Sequence, residues 1–495
     1  MTGLPRIDKA LAMASDVWPD RCAASFRGER LGYAEMYARA MAMAASLKAA
    51  GVRPGDRVAI AMTKGLEMPV AIHAIWAAGA AFVPLDPAAP IERLAGIVKD
   101  CAIKVAIGAD RNKSFLSQLV AASGVTVVGA VVDGAHCVMP VGATPDITPH
   151  ENGDDDLAYI IFTSGSTGVP KGICHSFASG TGFAHAWMAQ YRLQANDVFF
   201  CTVPLHFDFS LADFFCPAMV GASTELVPEQ ALMFPASIAE LLEKSGGTIW
   251  SSVPYTFLQL CERGAVETRD LSSLRWLIYG GEPMPPSGLP VLRQVFKARI
   301  SNSYGPAEVN QVSEYTVPDD HPTDRPIPIG QTMQHATFAQ AEDGELLVAG
   351  GSMMQGYWNR PDLNERVFAV RDGVRFYRTG DRVEQDRDGL WMFIGREDRQ
   401  IKIRGYRIEL DEVEMAMASH PDVSEAAVVV SADKLTLHGF AAPVPGATVT
   451  VAEIQTHIGS RLPRYAVPDR IEIRPAFAKT STGKINRKAL TEELS

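Results

Sequence analysis

The first two thirds of the chain alternate short apolar runs with stretches of helical periodicity. The runs include RVAIAM from Arg57, KVAIGA from Lys104 and WLIYGG from Trp276, and helical patterns such as SIAELLEKS from Ser237 fall between them. Strands that are apolar throughout are typical of parallel sheets covered by helices on both faces. The pattern therefore predicts an α/β fold with parallel-rich sheets in its large part.

The texture changes towards the C-terminus. From about Val317 the chain consists of short segments separated by Gly, Asp and Pro residues, such as RFYRTGD and GLWMFIG. This pattern predicts a small antiparallel, β-barrel-like region. After Gly395 come a charged stretch, a helical pattern and two apolar strands, and Thr450 and Glu453 have capping-box spacing for a second helix. This last part is predicted to be a smaller α+β domain.

Chain length supports that division. The 495 residues exceed what one compact core usually serves. We therefore predict two domains, a large N-terminal domain over residues 1–394 and a small C-terminal domain over residues 395–495.

Composition excludes several classes of protein. The formal net charge is −11 and no block of basic residues is present, so nucleic acid is not an expected partner. Seven cysteines without a C-x-x-C pair argue against a disulfide framework or a zinc site, and indicate a reducing, cytoplasmic compartment. The apolar window at residues 68–85 is long enough to test as a membrane span. Its Pro, His and Gly residues favour a buried helix followed by a strand, so no membrane is expected either.

The segment YIIFTSGSTGVPKGI, residues 159–173, carries the strongest functional signal. An apolar strand runs directly into a loop of glycines and hydroxyls that ends in Lys171. Glycine lets the backbone approach a phosphate, while hydroxyls and N–H groups donate to it. The segment is not a Walker A loop, because Pro170 precedes the lysine and Gly172 follows it. We interpret it as a phosphate-binding loop, with a flexible Gly/Ser turn as the alternative.

This loop resembles the signature loop of the adenylate-forming superfamily, which includes acyl-CoA synthetases, nonribosomal-peptide-synthetase adenylation domains and luciferases. Further segments match in the family's order: NSYGPAE from Asn302, YRTGD from Tyr377, GREDRQIKIRGYRIE from Gly395 and KTSTGKINRKAL from Lys479. The five ordered motifs span nearly the whole chain. The resemblance implies an ATP- and Mg²⁺-dependent ligase that joins AMP to a carboxylic acid and passes the acyl group on.

The chemistry explains why such residues are needed. A carboxylate is a weak nucleophile and ATP is also an anion, so the site must neutralise charge and align the reactants. The resemblance implies that Thr163, Ser164 and Thr167 hold the triphosphate and that Thr163 also takes part in catalysis. Glu308, with Thr163, is expected at Mg²⁺, which prefers one or two carboxylates plus phosphate oxygens; a solvated glutamate is the alternative. The other loop residues expected at the nucleotide are Gly165, Ser166, Gly168 and Lys171.

The nucleoside is assigned to the later motifs. By resemblance Tyr304 stacks on adenine, as aromatic faces suit a base, while Asp381 accepts the ribose hydroxyls with Arg396 as its partner. A core tyrosine and a turn aspartate are the alternatives. The remaining residues of the expected nucleotide site are Gly280, Gly281, Glu282, Asn302, Ser303 and Gly305.

Lys484, in the STGK sequence, is the principal catalytic candidate. The resemblance implies that its ammonium group reaches from the small domain to bridge the substrate carboxylate and the α-phosphate, where a point charge stabilises developing negative charge. His206 matches the residue beside the incoming carboxylate. A solvated lysine and a structural histidine are the respective alternatives.

The resemblance also implies motion. After adenylation the small domain rotates about a hinge matched by Asp398, and the KIRGYRIE segment from Lys402 then lines a tunnel for the acceptor thiol. A solvated charged face is the alternative for this segment.

Asp208, in HFDFSLADFF, is the best indication of the acid. It matches the aspartate that pairs with the α-ammonium group in amino-acid-activating members, and a carboxylate in an apolar pocket favours a cationic partner. A helix-start aspartate is the alternative. Several matched pocket residues are small, which favours a medium or large side chain, with Gln311 as a polar contact. The pocket is matched by Phe209, Ala212, Ser251, Ile278, Gly280, Ser303, Gln311 and Val312.

The acceptor stays open. Only five residues follow Leu490, so we expect an acceptor in trans: a carrier protein bearing phosphopantetheine, then coenzyme A, then an amine. The alternative enzyme is an acyl- or aryl-CoA synthetase, or an amide-forming ligase, for a non-amino acid. A nucleotide-binding regulatory protein without catalysis is a further alternative, against which the intact Lys484, Glu308 and Asp381 argue.

Overall fold

A computed structural model describes residues 4–128, 148–165, 170–285, 287–322, 325–396, 398–431, 435–479 and 485–494 of the chain. The helices of this part of the chain are α1 (Ile7–Val17), α2 (Tyr33–Ala49), α3 (Glu67–Ala77), α4 (Ile91–Asp100), α5 (Lys113–Ser123), α6 (Phe177–Tyr191), α7 (Leu211–Phe215), α8 (Pro217–Val220), α9 (Pro235–Ser245), α10 (Pro254–Arg263), α11 (Gly288–Val295), α12 (Pro361–Val367), α13 (Leu410–Ala418), α14 (Val451–Gly459) and α15 (Arg487–Glu492).

The strands are β1 (Cys22–Phe26), β2 (Glu29–Gly32), β3 (Arg57–Ile60), β4 (Ala81–Pro84), β5 (Val105–Ile107), β6 (Thr126–Val128), β7 (Leu157–Thr163), β8 (Lys171–Ser176), β9 (Val198–Cys201), β10 (Ser223–Leu226), β11 (Ile249–Ser252), β12 (Trp276–Gly280), β13 (Arg299–Tyr304), β14 (Ser313–Thr316), β15 (Gln331–Thr332), β16 (Ala336–Gln340), β17 (Glu345–Gly350), β18 (Gly356–Tyr357), β19 (Phe368–Arg371), β20 (Val374–Gln385), β21 (Trp391–Arg396), β22 (Gln400–Ile403), β23 (Tyr406–Glu409), β24 (Val423–Val430), β25 (Leu437–Pro443) and β26 (Arg470–Ile473).

Two large sheets form the N-terminal domain. One has the order β18-β8-β7-β4-β3-β5-β6 and the other the order β15-β14-β13-β12-β11-β9-β10-β1-β2. The pairs β3–β4, β3–β5 and β4–β7 are parallel, as are β9–β10, β11–β12 and β12–β13. The antiparallel pairs lie at the sheet edges, such as β7–β8 and β13–β14. The predicted parallel-rich α/β fold is confirmed.

The main core joins these sheets around Trp76 on α3. Its ring lies 5.4–5.8 Å from the rings of Phe82, Phe177 and Phe215, and its indole N–H donates to the Ala158 carbonyl at 2.9 Å. The apolar window at residues 68–85 forms the buried part of α3 and then β4, as predicted. Among the helices of the described residues, none has the length and apolar character to cross a membrane.

The later part of the chain changes to antiparallel sheet, as the sequence pattern predicts. Strands β16, β17, β20, β19 and β21 form a five-stranded sheet whose pairs are antiparallel, which is the predicted antiparallel region. Beyond it, α13 and α14 pack against the sheet β24-β25-β26, so the smaller C-terminal α+β domain is also confirmed. The predicted division between residues 394 and 395 stays a prediction, since β21 runs across it.

Helix α14 begins with the predicted capping box. The Thr450 side chain accepts from the Glu453 N–H, and the Glu453 carboxylate accepts from the Thr450 N–H at 2.8 Å. Two N–H groups that a helix end leaves unpaired are thereby satisfied.

Replacing Thr450 with Ala removes this cap. We expect the free energy of unfolding of the C-terminal domain to fall by about 1 kcal/mol. Thr456→Ala is the matched control, because the Thr456 hydroxyl bonds only the Ala452 carbonyl within the helix and its loss should change stability by less than about 0.5 kcal/mol. Urea unfolding followed by circular dichroism measures both variants, and equal effects would contradict the capping role.

Candidate active site

The two ends of the predicted phosphate loop face each other in the structure. Strands β7 and β8 are antiparallel, with Thr163 paired to Lys171. The Thr163 hydroxyl is buried and makes no hydrogen bond within the described residues, and the Ser164 hydroxyl donates to the Arg407 carbonyl at 3.0 Å. Gly165 is buried beside them. Ser166, Thr167 and Gly168, which the sequence also assigns to this loop, lie outside the described residues.

The Lys171 side chain faces a carboxylate of the C-terminal domain. Its ammonium nitrogen lies 3.7 Å from a carboxylate oxygen of Glu409 and 5.7 Å from the ring centre of Tyr357. Burial, followed by the charge of Arg407, lowers the pKa of Lys171. A buried ammonium group of this kind favours a nearby anion.

Glu308 lies at the centre of the site. Its side chain is 0% exposed, and Arg407 Nη1 donates to both of its carboxylate oxygens at 3.0 and 3.1 Å. The Tyr357 hydroxyl donates to one of them at 2.7 Å. Burial by itself would raise the pKa of Glu308, but Arg407, Tyr357 and Lys171 lower it to about 2. The carboxylate is therefore ionised at neutral pH and requires a cation.

The predicted nucleoside residues form a connected group. The Tyr304 hydroxyl donates to Asp381 at 2.5 Å, and Arg396 Nη1 donates to the other Asp381 oxygen at 2.5 Å. Arg396 also donates to both oxygens of Asp398, at 2.7 Å each. The predicted ribose pair is thus adjacent to the predicted hinge residue. Both carboxylate oxygens of Asp381 therefore already accept a hydrogen bond within the protein.

Residues at the ends of β12 and β13 flank this cluster. The Asn302 amide nitrogen donates to the Pro328 carbonyl at 2.7 Å, and β13 ends at Tyr304, just before Gly305. Gly281 has φ +86°, which favours glycine because an L side chain is strained there. Glu282 accepts from the Gly405 N–H of the C-terminal domain at 3.3 Å.

The predicted acid-binding residues follow β9. His206 Nε2 lies 3.8 Å from a carboxylate oxygen of Asp86, and burial lowers the pKa of His206. Asp208 begins a short 3₁₀ turn; burial raises its pKa to about 6, against the opposing charge of Lys402. The charge of Glu308 contributes to this rise. Asp208 therefore shares an electrostatic environment with the predicted metal carboxylate.

The predicted pocket residues lie on neighbouring strands in register. Ser251 on β11 pairs with Ile278 on β12, and Gly280 on β12 pairs with Ser303 on β13, so their side chains share one face of the sheet. A Cβ placed on Gly280 would lie 3.3 Å from the Phe209 ring. The Ser251 hydroxyl is buried and has no partner within the described residues. Ala212 and Val312 are also buried.

Gln311 was predicted as a polar contact for the acid, and the structure gives it protein partners. The Trp187 indole N–H donates to its amide oxygen at 2.5 Å, and its amide nitrogen donates to the Tyr191 hydroxyl at 2.7 Å. The two aromatic rings, both on α6, lie 4.3 Å apart. Gln311 thus ties β13 and its following loop to α6.

Sequence reasoning missed Lys64. It is 1% exposed, and its ammonium group donates to the Thr202 carbonyl at 2.6 Å, while its backbone N–H donates to Glu229 at 2.8 Å. These contacts anchor the end of β9, from which His206 and Asp208 follow. A lone lysine in an apolar stretch, AIAMTKGLEMPV, is the signal that could have indicated it.

The individual contacts of the KIRGYRIE segment were also missed. In the structure its hairpin, β22–β23, lies against the cleft of the large domain. A Cβ at Gly405 would collide with Val253, and Tyr406 packs edge-on against Phe207 with ring centres 5.2 Å apart. Arg93 and Glu412 form a further ion pair between the domains at 2.8 Å. Lys484, the predicted catalytic lysine, lies outside the described residues.

The chain matches two models of known protein families. The sequence pattern described as "AMP-binding enzyme" matches residues 11–358, and that described as "AMP-binding enzyme C-terminal domain" matches residues 412–484. The chain therefore belongs to the AMP-binding enzyme family, and it is an AMP-forming ligase.

Two relatives and one solved structure illustrate the likeness. An L-proline–[L-prolyl-carrier protein] ligase of Pseudomonas fluorescens is 32% identical, covering 96% of this chain and 97% of its own length. A protein of the same name from Streptomyces coelicolor is 33% identical, with 90% of each chain covered. The amide bond synthetase McbA from Marinactinospora thermotolerans has a TM-score of 0.89 at 24% identity, covering 98% of this chain and 99% of that one. The last likeness concerns the fold.

Gln311→Ala tests the link between β13 and α6. We expect the free energy of unfolding to fall by about 2–4 kcal/mol, because a buried side chain is truncated and the indole N–H of Trp187 loses its acceptor. Gln331→Ala, at an exposed glutamine that donates to the Gly389 carbonyl, should cost less than about 0.5 kcal/mol. Urea unfolding of both variants measures the difference, and similar values for the two would refute the link.

Proposed function

We propose that this protein activates an amino acid with ATP as an aminoacyl adenylate and then transfers the aminoacyl group to the phosphopantetheine thiol of a carrier protein in trans. One observation carries the proposal: the 3₁₀ turn that begins at Asp208 contacts β11, which carries the predicted pocket residue Ser251, and the charges of Lys402 and Glu308 act on the Asp208 carboxylate. An anion suited to an α-ammonium group therefore stands beside the proposed metal and phosphate site. The names of the two carrier-protein ligases support the same acceptor.

The residues present fit ATP and Mg²⁺. The ionised, fully buried Glu308 carboxylate and the unpartnered Thr163 hydroxyl supply oxygen atoms of the kind that Mg²⁺ prefers. Mg²⁺, when bound, would neutralise phosphate charge. Lys171 and Ser164 would bind phosphate oxygens. Arg407 would first have to withdraw from Glu308.

The remaining residues would orient the reactants. Asp208 would hold the ammonium group of the amino acid and His206 would lie beside its carboxylate. Tyr304 would stack on adenine, and Asp381 would accept the ribose hydroxyls. When two anions react, holding them in the correct geometry accounts for much of the rate enhancement.

Two bond exchanges complete the reaction. In the first, a carboxylate oxygen bonds to the α-phosphorus and pyrophosphate leaves. In the second, the thiol sulfur bonds to the acyl carbon, the acyl–oxygen bond breaks, the thiol proton is lost and AMP leaves. We propose that the arrangement seen here belongs to the second step, since the KIRGYRIE hairpin faces the cleft. Asp398 would serve as the hinge between the two arrangements.

The cysteines of the described residues are free thiols, which supports the cytoplasm as the place of action.

ATP–pyrophosphate exchange tests the proposal directly. The twenty amino acids, with proline first, are compared with their des-amino analogues and with aryl and short-chain acids. We expect exchange with one or a few amino acids and none with the des-amino analogue of the best substrate. Exchange supported equally by the des-amino analogue would favour a CoA ligase or an amide-forming ligase for a non-amino acid. The absence of exchange with every acid would favour a nucleotide-binding protein without catalysis.

Asp208→Asn should lower kcat/KM for the amino acid at least about 30-fold, because the buried ammonium group loses its counter-charge. Since the pKa of Asp208 is raised to about 6, its carboxyl group becomes neutral below that pH. The wild-type kcat/KM should therefore fall as the pH drops through about 6, and this limb should disappear in the variant.

Asp213→Asn is the matched control for Asp208. Asp213 is a buried carboxyl on the adjoining α7 that lines a small separate cavity with Tyr33 and His73. The control should keep the wild-type pH limb of kcat/KM. An Asp208→Asn enzyme with an unchanged pH profile would contradict the assignment.

Lys484→Ala should slow ATP–pyrophosphate exchange by about 10²–10³-fold, since one preorganised charge at the transition state is lost. Lys488→Ala is the control, because the Lys488 ammonium group is exposed and lies 3.8 Å from Glu492 on the same helix. Equal rates for the two variants would exclude Lys484 as the catalytic lysine.

A further inference from the structure

The β22–β23 hairpin has two chemically different faces. Gln400 pairs with Glu409, and Lys402 pairs with Arg407, so these four polar side chains share one face. The alternate positions carry Ile401, Ile403 and Ile408, which belong to the core of the C-terminal domain. The charged side chains Arg407 and Glu409 of the polar face contact the large domain, and Tyr406 on the opposite face also reaches that domain by packing against Phe207.

Two of these charges contact the residues proposed for metal and phosphate. Arg407 donates to both oxygens of Glu308, and the Glu409 carboxylate lies 3.7 Å from the Lys171 ammonium group. The contact of Glu409 is oriented by Gln400, whose amide nitrogen donates to it at 2.7 Å. The strand thus presents a cation to the metal carboxylate and an anion to the phosphate lysine.

The spacing of these charges follows from the strand. Arg407 and Glu409 are two residues apart on β23, which places their side chains on the same face about 7 Å apart. The Ser164 hydroxyl of the phosphate loop also donates to the Arg407 carbonyl. The hairpin therefore meets the loop with both its side chains and its backbone.

We propose that Arg407 and Glu409 are positioning residues for acyl transfer, which hold the C-terminal domain on the large domain by taking the charges that Mg²⁺ and pyrophosphate would otherwise take. The inference rests on the proposed function. A second cation at Glu308 would be repelled by Arg407, and a second anion at Lys171 would be repelled by Glu409. Docking of the hairpin and binding of magnesium pyrophosphate therefore compete. Pyrophosphate and its metal must leave before the transfer arrangement forms.

The test is hydrogen–deuterium exchange of residues 400–409 in the full-length protein, read by mass spectrometry. This readout reports local opening and does not need turnover. Adding Mg²⁺ with inorganic pyrophosphate should speed exchange of these amides about tenfold, including the Gly405 amide that donates to Glu282. Mg²⁺ alone and pyrophosphate alone should each have a smaller effect, because each relieves only one of the two contacts.

Arg407→Gln and Glu409→Gln should show fast exchange without added ligands. Arg404→Gln is the matched control, because it removes a charge from the same hairpin while the Arg404 guanidinium lies 3.6 Å from Asp469 of the same domain. The control should keep wild-type protection and the wild-type response to magnesium pyrophosphate. Exchange of β24 and β25 should match the wild type in every variant, which verifies that the C-terminal domain is folded.

A charge exchange gives a second measurement. Glu409→Lys should lose protection because it faces Lys171, and the double variant Lys171→Glu with Glu409→Lys should recover it. The proposal is overturned if Arg407→Gln stays as protected as Arg404→Gln, or if the double variant does not recover. It is also overturned if magnesium pyrophosphate leaves the wild-type hairpin protected. The two proposals can fail separately. If the protein fails ATP–pyrophosphate exchange with every acid but its hairpin shows the expected hydrogen–deuterium exchange, the proposed function is refuted. The competition between the hairpin and magnesium pyrophosphate would then still stand.

Discussion

A fully buried, ionised carboxylate requires a cation beside it. Glu308 is such a carboxylate, and it lies where the two domains meet. An unpaired charge in a protein interior costs several kcal/mol, so Glu308 is stable only beside a positive partner. Arg407 supplies it here, with the Tyr357 hydroxyl as a second donor. The carboxylate therefore joins the C-terminal domain to the large domain through Arg407.

The fold is arranged to bring charges to this one place. The predicted phosphate loop falls between β7 and β8 of the first large sheet in sequence, while β13 of the second sheet ends just before the turn that carries Glu308. The loop after β9 adds Asp208, and buried Lys64 holds the carbonyl groups where that loop begins. Ligands commonly bind where loops follow the carboxyl ends of parallel strands. The small domain closes the cleft with a hairpin that is apolar on one face and charged on the other.

Local patterns predicted what local physics determines. The apolar run at YIIF gave a buried strand, and the capping-box spacing at Thr450 gave the start of α14, because both depend on neighbours in sequence. The Glu308–Arg407 pair joins residues that are far apart in sequence and lie in different domains, so no local pattern contains it. The partners of Gln311 depend on the orientation of α6 over the sheet. Lys484 and the middle of the phosphate loop remain assigned by sequence only.

The central claim is that an oxygen of the acid attacks the α-phosphorus of ATP in this cleft. The most direct measurement uses the substrate amino acid with ¹⁸O at both carboxyl oxygens and follows the products of acyl transfer to the thiol by mass spectrometry. The account predicts one ¹⁸O atom in each AMP, because the attacking oxygen stays on phosphorus when the acyl–oxygen bond breaks. Unlabelled AMP, or labelled phosphate formed together with ADP, would contradict it.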